Sequence, residues 1–311
     1  MPPRHTDQEQ ADFEHALTAI AEQEALPQAE LDSLSMLEGD DLGRFRATFE
    51  KLPGDARARL VRGLRGAAEQ RLRLDYSAVN RLALEDTESR VRLAGVQAAI
   101  EDRSEYWLAK LLDLLRSDPS TDVRQAAAED LSRFTLLAEL EDLDAATTAR
   151  LRTELQEVIA DDTQAPRVRT SALAALGYFS DAVIAEQLAT AFTDPTLRLG
   201  AVRGMGRSAD PRWTDRLMPV LGSEDPQLRE EAARALGEIE DERAVAPLAE
   251  LVDDPEPQVR LAVIEALGHI GGEEAREALL YLAEAHEDDI RQAAEVALDE
   301  LESAEGDPMD L

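Results

Sequence analysis

Residues 225–239 read Asp-Pro-Gln-Leu-Arg-Glu-Glu-Ala-Ala-Arg-Ala-Leu-Gly-Glu-Ile. This segment indicates the fold class. Its apolar residues recur at helical spacing. The phrase of an aliphatic residue, an arginine and a run of alanine and leucine returns along the chain, with its arginine at Arg92, Arg124, Arg169, Arg198, Arg229, Arg260 and Arg291. Successive arginines are 32, 45, 29, 31, 31 and 31 residues apart. This period predicts an array of helical repeats.

Turn signals divide each repeat into two helices. Four copies carry Asp-Pro ahead of the arginine, at Asp118, Asp194, Asp225 and Asp254. Asp favours a helix N-cap, and Pro fits the first turn because its missing amide hydrogen would have no partner there. Ala-Leu-Gly at residues 175–177, 235–237 and 266–268 ends the apolar run. These glycines predict left-handed C-terminal caps.

Composition narrows the possible partners. The chain has 66 acidic and 33 basic residues, a net charge of −33, and no cysteine. Such a charge repels nucleic acid, and the lack of cysteine excludes disulfides and cysteine-based zinc sites. The first residues show no secretion signal, and no apolar run is long enough for a membrane span. We therefore expect a cytoplasmic protein that binds neither nucleic acid nor membrane.

Residues 225–239 resemble the HEAT-like repeat of phycobilin lyase subunits and of many uncharacterised bacterial proteins. The resemblance covers roughly residues 54 to 301. It implies an all-α fold, a right-handed α-α superhelix or solenoid of about seven to eight helical hairpins. The motif is specific for fold and says little about function, because the same repeat occurs in scaffolds, lyases and hydroxylases.

Departures from the period suggest the domain organisation. Residues 1–34 are acidic and are expected to be a weakly ordered segment, followed by the repeat solenoid over residues 35–301. The long interval of 45 residues predicts an insertion at about 138–163, with Asp144 as a helix N-cap. This insertion is either a bulge in the array or a binding loop. Residues 302–311 are expected to form an acidic, solvated tail.

The repeated arginines favour a structural ladder. A catalytic role would need one special copy, whereas this arginine recurs in every copy. In HEAT-like repeats the equivalent residue pairs with an acidic group of a neighbouring turn, which the resemblance implies here.

A second set of residues is the candidate protein-binding patch. In HEAT-like arrays the second helix of each pair lines the concave surface, so positions one, five and nine residues after each arginine form a stripe. Its middle contains Tyr178, Arg203, Arg207 and Arg234, with Trp213 just beyond. Tyr, Trp and Arg are the types most often found at binding hot spots. Alternatively, the arginines neutralise nearby acids and Trp213 packs between repeats.

Residues for catalysis are sparse. The four histidines, His5, His15, His269 and His286, are scattered, and His286-Glu287 is a single His-Glu pair where HEAT-like hydroxylases use several. We expect no catalytic residue, no metal and no cofactor. The favoured function is a noncatalytic, monomeric adaptor that binds another protein through its concave surface. The alternative is a phycobilin lyase-like subunit or chromophore chaperone.

Overall fold

The computed structural model describes residues 7–71, 74–99 and 102–305. All regular elements in these ranges are helices, so the predicted all-α class is confirmed. The chain divides into two compact units, Met1–Asp130 and Leu131–Leu311, called the first and second unit. The number of repeats and the superhelix stay predictions.

The described residues of the first unit contain seven helices: α1 (Asp7–Glu22), α2 (Gln28–Ser33), α3 (Gly39–Phe49), α4 (Gly54–Gln70), α5 (Ser77–Leu84), α6 (Ser89–Ala98) and α7 (Glu105–Ser117). Helix α8 (Thr121–Glu139) begins in the first unit and ends in the second. The second unit continues with α9 (Ala145–Ala160), α10 (Pro166–Leu176), α11 (Ala182–Ala191), α12 (Arg198–Arg207), α13 (Thr214–Leu217), α14 (Pro226–Ile239), α15 (Val245–Ala249), α16 (Pro257–Ile270), α17 (Glu273–Leu282) and α18 (Asp288–Glu305). Short 3-10 helices span Pro211–Trp213, Met218–Gly222 and Glu242–Ala244.

The N-terminal helices pack into the core of the first unit. The sequence predicts weak order for residues 1–34, but Phe13 of α1 is fully buried beside Phe45 and Val61 in one apolar cluster. The Tyr76 hydroxyl also donates a hydrogen bond to the Leu31 carbonyl oxygen at 3.0 Å. Four apolar side chains of α1 spaced three and four residues apart, Phe13, Ala16, Leu17 and Ile20, make this docking possible. Residues 1–6 lie outside the described ranges, and the proposed domain boundaries stay predictions.

The helices that carry the repeated arginine pack side by side in the second unit. We call α10, α12, α14, α16 and α18 the second helices. Each second helix contacts the next second helix along the chain. From α12 onward, each also contacts the helix that precedes it in the same pair, which is α11 for α12, α13 for α14, α15 for α16 and α17 for α18. The residue seven positions after the arginine is fully buried in four successive repeats, at Leu176, Met205, Leu236 and Leu267. Burying one such side chain contributes about 2 kcal/mol. Local contacts between neighbouring repeats therefore build the core.

The glycines of Ala-Leu-Gly do not form the predicted left-handed caps. Gly237 lies inside α14 and Gly268 inside α16, while Gly177 follows α10 with a right-handed φ of −58°. A Cβ atom on Gly237 would lie 2.6 Å from the Ala266 Cα of the next second helix. The cap prediction was wrong because these glycines serve close helix contact. The left-handed residue that ends α14 is Glu240, with φ of 55°.

The Asp-Pro signals have two different roles. Asp225 caps α14 as predicted, since its side chain accepts the Gln227 N–H at 3.0 Å and Pro226 is the first helical residue. Asp118 and Asp254 do not cap a helix start, because α8 begins at Thr121 and α16 at Pro257. Their carboxylates instead form ion pairs with the repeated arginine of the preceding repeat.

Longer helices account for the extra residues at about 138–163. Helix α8 has 19 residues and α9 has 16, whereas α11 has 10. The predicted N-cap is confirmed: the Asp144 side chain accepts the N–H groups of Ala146 at 2.9 Å and Thr147 at 3.0 Å. The insertion therefore contains mainly regular helix.

Candidate interaction surface and arginine ladder

The repeated arginines share one contact within their own repeat. In five copies the guanidinium donates a hydrogen bond to the carbonyl oxygen six residues earlier: Arg92 to Asp86, Arg124 to Asp118, Arg198 to Phe192, Arg229 to Ser223 and Arg260 to Asp254. The distances lie between 2.6 and 3.0 Å. These carbonyls follow the first helix of each pair, where the last C=O groups have no helical partner. A cation also interacts favourably with that end of a helix.

Two of the arginines also bind the next repeat through both carboxylate oxygens. Arg229 donates from Nε to Asp254 Oδ2 at 2.7 Å and from Nη2 to Asp254 Oδ1 at 2.9 Å. Arg92 binds Asp118 in the same way, at 2.7 and 2.8 Å. The Arg229 and Asp254 side chains are only 12% and 4% exposed. Such paired hydrogen bonds between charged groups are stronger than neutral ones.

The environment of Asp254 keeps its carboxyl ionised. Burial raises the pKa of this group, but the hydrogen bonds from Arg229 and from the Glu256 N–H, together with the charges of Arg229 and Arg260, outweigh burial, so the pKa lies below its usual range. The hydrogen bond to Asp254 also raises the pKa of Arg229. Both partners are therefore charged at neutral pH.

The remaining ladder arginines have weaker links. Arg260 reaches Glu287 at 3.0 Å with one nitrogen, and Arg291 pairs with Asp288 three residues away on α18. Arg169 donates to the Ile159 carbonyl oxygen and pairs with exposed Asp162, both in the preceding helix and loop. Arg198 is exposed and lies 5.2 Å from the Phe192 ring centroid.

Sequence reasoning missed an earlier member of the ladder. Arg57 of α4 donates to Asp86 Oδ1 at 2.8 Å and to the Leu52 carbonyl oxygen at 2.5 Å, the same two kinds of contact that Arg92 makes. Both charged side chains of this pair are about one-tenth exposed. Asp86, which stands 29 positions after Arg57, was the feature of the sequence that could have indicated this pair. The repeat around Arg57 departs so far from the other copies that its arginine was not recognised as a ladder member.

Polar contacts also join neighbouring first helices. Buried Thr214 of α13 donates from its hydroxyl to Asp241 Oδ2 at 2.7 Å, and Arg243 donates to Asp215 Oδ1 at 2.8 Å. Hydrogen bonds from Arg243 and Thr214 lower the pKa of Asp241 to about 2. These two contacts thus link the repeat that contains α13 to the next repeat, in addition to the arginine contacts of the second helices.

The patch residues fall into two environments. The Arg207 guanidinium lies over the Tyr178 ring, 5.5 Å from its centroid, at a partly exposed position. Arg203 of α12 forms an ion pair with Glu231 of α14. Arg234 of α14 donates a hydrogen bond to Glu265 of α16 at 2.5 Å. Arginine and glutamate thus alternate across α12, α14 and α16. The alternative that the arginines neutralise nearby acids describes Arg203 and Arg234. Arg207 also has an acidic neighbour, because its charge opposes the desolvation that raises the pKa of Glu238.

Trp213 does not contribute an accessible side chain to the patch. It is 6% exposed at the end of the 3-10 helix Pro211–Trp213. The Arg216 guanidinium lies 5.6 Å from its ring centroid. Trp213 therefore packs in the core of the second unit, which was the alternative reading of this residue.

Within residues 7–71, 74–99 and 102–305, no group of three or more His, Asp or Glu side chains is placed to hold a metal ion. None of the helices in that part of the chain has the length and apolarity needed to cross a membrane.

Residues 183–257 and 214–299 match the family model of HEAT repeats. The comparison with curated proteins found no match. This part of the chain therefore contains HEAT repeats, as the sequence resemblance implied. The match does not distinguish the phycobilin lyase type from other HEAT repeats.

Three solved structures illustrate what the chain is similar to. An importin beta structure is 15% identical, with a TM-score of 0.46, and the alignment covers 95% of this chain and 47% of that chain. Human deoxyhypusine hydroxylase in complex with glycerol is 20% identical, with a TM-score of 0.39 and coverage of 94% and 98%. An engineered protein is 23% identical, with a TM-score of 0.40 and coverage of 63% and 98%.

Proposed function

We propose that this chain, whose second unit contains HEAT repeats, is a noncatalytic scaffold that binds another protein through the second-helix face. Side-by-side packing of α10, α12, α14, α16 and α18 supports this, because adjacent repeats form an extended surface. Stable protein partners use such broad areas, about 800 Å² on each side.

The observation that carries the proposal is the stack of Arg207 on Tyr178. Stacking holds the guanidinium in one orientation, so less side-chain entropy is lost when a partner binds. Its Nη1 atom is buried and has no hydrogen-bond partner among the described residues. The side chain as a whole is partly exposed, so its other N–H groups can donate to a carbonyl or carboxylate oxygen of a partner. Tyr and Arg are also enriched at interface hot spots.

A double variant, Tyr178→Ser with Arg207→Gln, tests this surface. We expect it to lose proteins that the unaltered chain retains in affinity capture from the source organism, while the melting temperature changes little because both side chains are partly exposed. The matched control is Arg150→Gln, which changes a 53% exposed arginine on α9. Equal recovery of every captured protein by the double variant contradicts the proposed surface.

The chromophore-binding alternative has a separate test. A bilin lyase-like subunit would change the absorption spectrum of added bilin, whereas a protein scaffold would leave it unaltered. Only the resemblance of the repeat supports this second reading, so the scaffold remains our proposal.

We also propose that the scaffold is a cytoplasmic monomer. Its large negative charge disfavours self-association by repulsion between copies. Light scattering coupled to gel filtration would measure the mass, and a stable dimer would contradict the monomeric state.

A further inference from the structure

A polar pocket of about 630 Å³ lies in the first unit. Its walls come from the C-terminal half of α4, from α5 and from the segment that leads into α7. Pockets of this size hold small organic molecules. None of its residues belongs to the second-helix face, so what it binds goes beyond the proposed scaffold function.

Asn80 of α5 is the first sign of a ligand. This residue is 6% exposed and lines the pocket, yet its Oδ1 atom is buried without a hydrogen-bond partner among the described residues. Buried polar atoms are almost always paired, so an unpaired one calls for an explanation. The terminal amide torsion of Asn is broad, so rotation about that bond can present Oδ1 to a bound donor.

Asp102 supplies a second unpaired acceptor on the same pocket. Its Oδ1 accepts the Ser104 N–H at 2.9 Å, whereas Oδ2 is buried with no hydrogen-bond partner in the described part of the chain. Arg81 forms a long ion pair with Asp102, with Nη2 at 3.7 Å from Oδ2. This arginine also lies over the Tyr106 ring, 4.9 Å from its centroid.

The two oxygens define the chemistry of the missing group. Both oxygens are hydrogen-bond acceptors, and the Asp102 side chain is only 11% exposed. The group that suits them donates several hydrogen bonds, as a protonated amine does. The pocket is lined by three acidic residues, Glu69, Asp75 and Asp102, and by three arginines, Arg65, Arg81 and Arg103. A net charge of −33 also attracts organic cations toward the chain.

We propose that this pocket binds a small organic amine, with its ammonium group between Asn80 and Asp102. The ammonium donates to Asn80 Oδ1 and Asp102 Oδ2, and the rest of the ligand occupies the pocket toward α4.

The experiment is isothermal titration calorimetry of the full chain with putrescine or agmatine, and with 1,4-butanediol as the uncharged control. We expect saturable binding of one amine per chain and none of the diol. Asp102→Asn keeps the Oδ1 that accepts the Ser104 N–H and removes the charge, so affinity should fall at least tenfold. The matched control, Asp55→Asn, removes an exposed carboxylate paired with Arg90 outside the pocket and should bind as before.

Asn80→Leu separates binding from folding. If Asn80 is retained for a ligand, an apolar side chain of similar volume should leave the melting temperature unchanged or raised while it weakens amine binding at least tenfold. A lowered melting temperature with unchanged amine affinity would show that Asn80 serves the fold and would overturn the proposal. Equal affinity of the Asp102→Asn and Asp55→Asn variants would also overturn it, because attraction to the acidic surface would then explain the binding.

Discussion

Arg229 and Arg198 occupy the same position in consecutive repeats but have different partners. Each donates to the carbonyl oxygen six residues earlier, and Arg229 alone of the two also binds a carboxylate of the next repeat. The residue 25 positions after Arg229 is Asp254, whereas the one 25 positions after Arg198 is Ser223. At the residue scale, the acceptor rather than the arginine decides whether two repeats are joined by an ion pair.

Replacing Arg229 by Ala should lower stability clearly. The change leaves the Asp254 carboxylate buried without its cation, which costs about 3 kcal/mol. Arg198→Ala is the matched control and should cost about 1 kcal/mol or less, since it removes an exposed side chain with one carbonyl contact. Thermal unfolding followed by circular dichroism measures both. Equal melting temperatures of the two variants would contradict the ladder.

The stability that Asp254 provides should depend on pH. Its folded-state pKa lies below the ordinary value of about 3.9, so the ionised pair stabilises the fold fully above about pH 4. This contribution disappears as the pH falls through the folded-state pKa. The gap in melting temperature between the unaltered chain and Asp254→Asn should therefore narrow from pH 7 to pH 3. A gap that stays constant over this range would show that the charge of Asp254 is not the stabilising feature.

At the element scale, close contact between second helices depends on glycine. Gly206, Gly237 and Gly268 stand eight residues after successive ladder arginines, and each faces an alanine of the next second helix. In α18 the position eight residues after the ladder arginine is Asp299, so α18 has no glycine there against which the backbone of another helix could pack closely. The glycines thus fix how near the neighbouring backbones approach.

Gly237→Ala tests this contact. Alanine favours helix over glycine by about 1 kcal/mol, so an uncrowded site would gain stability. At Gly237 the new Cβ would lie 2.6 Å from the Ala266 Cα, and overpacking of this kind costs about 1–3 kcal/mol. We expect a lower melting temperature, measured by calorimetry. Gly66→Ala in α4 is the control that should stabilise, because its Cβ meets no atom within 4 Å.

At the scale of the whole molecule, the two proposed binding sites differ in chemistry and in location along the chain. The second unit offers a broad face of alternating arginine and glutamate, which suits a protein. The first unit contains a pocket with two acceptors that have no hydrogen bond among the described residues, which suits a small amine. The net charge of −33 favours the approach of cations, so salt should weaken amine binding.

The class of the fold and the repeat can be predicted from the amino-acid sequence alone. Periodic arginines and helical spacing of Leu and Ala are local properties, so they predicted the second helices, and the Asp225 and Asp144 caps followed from side-chain chemistry. Only the tertiary structure decided which aspartates accept an arginine, that Gly237 serves close contact, and that Trp213 and Phe13 are buried. These features depend on which surfaces meet across residues far apart in the chain, and periodicity carries no information about that.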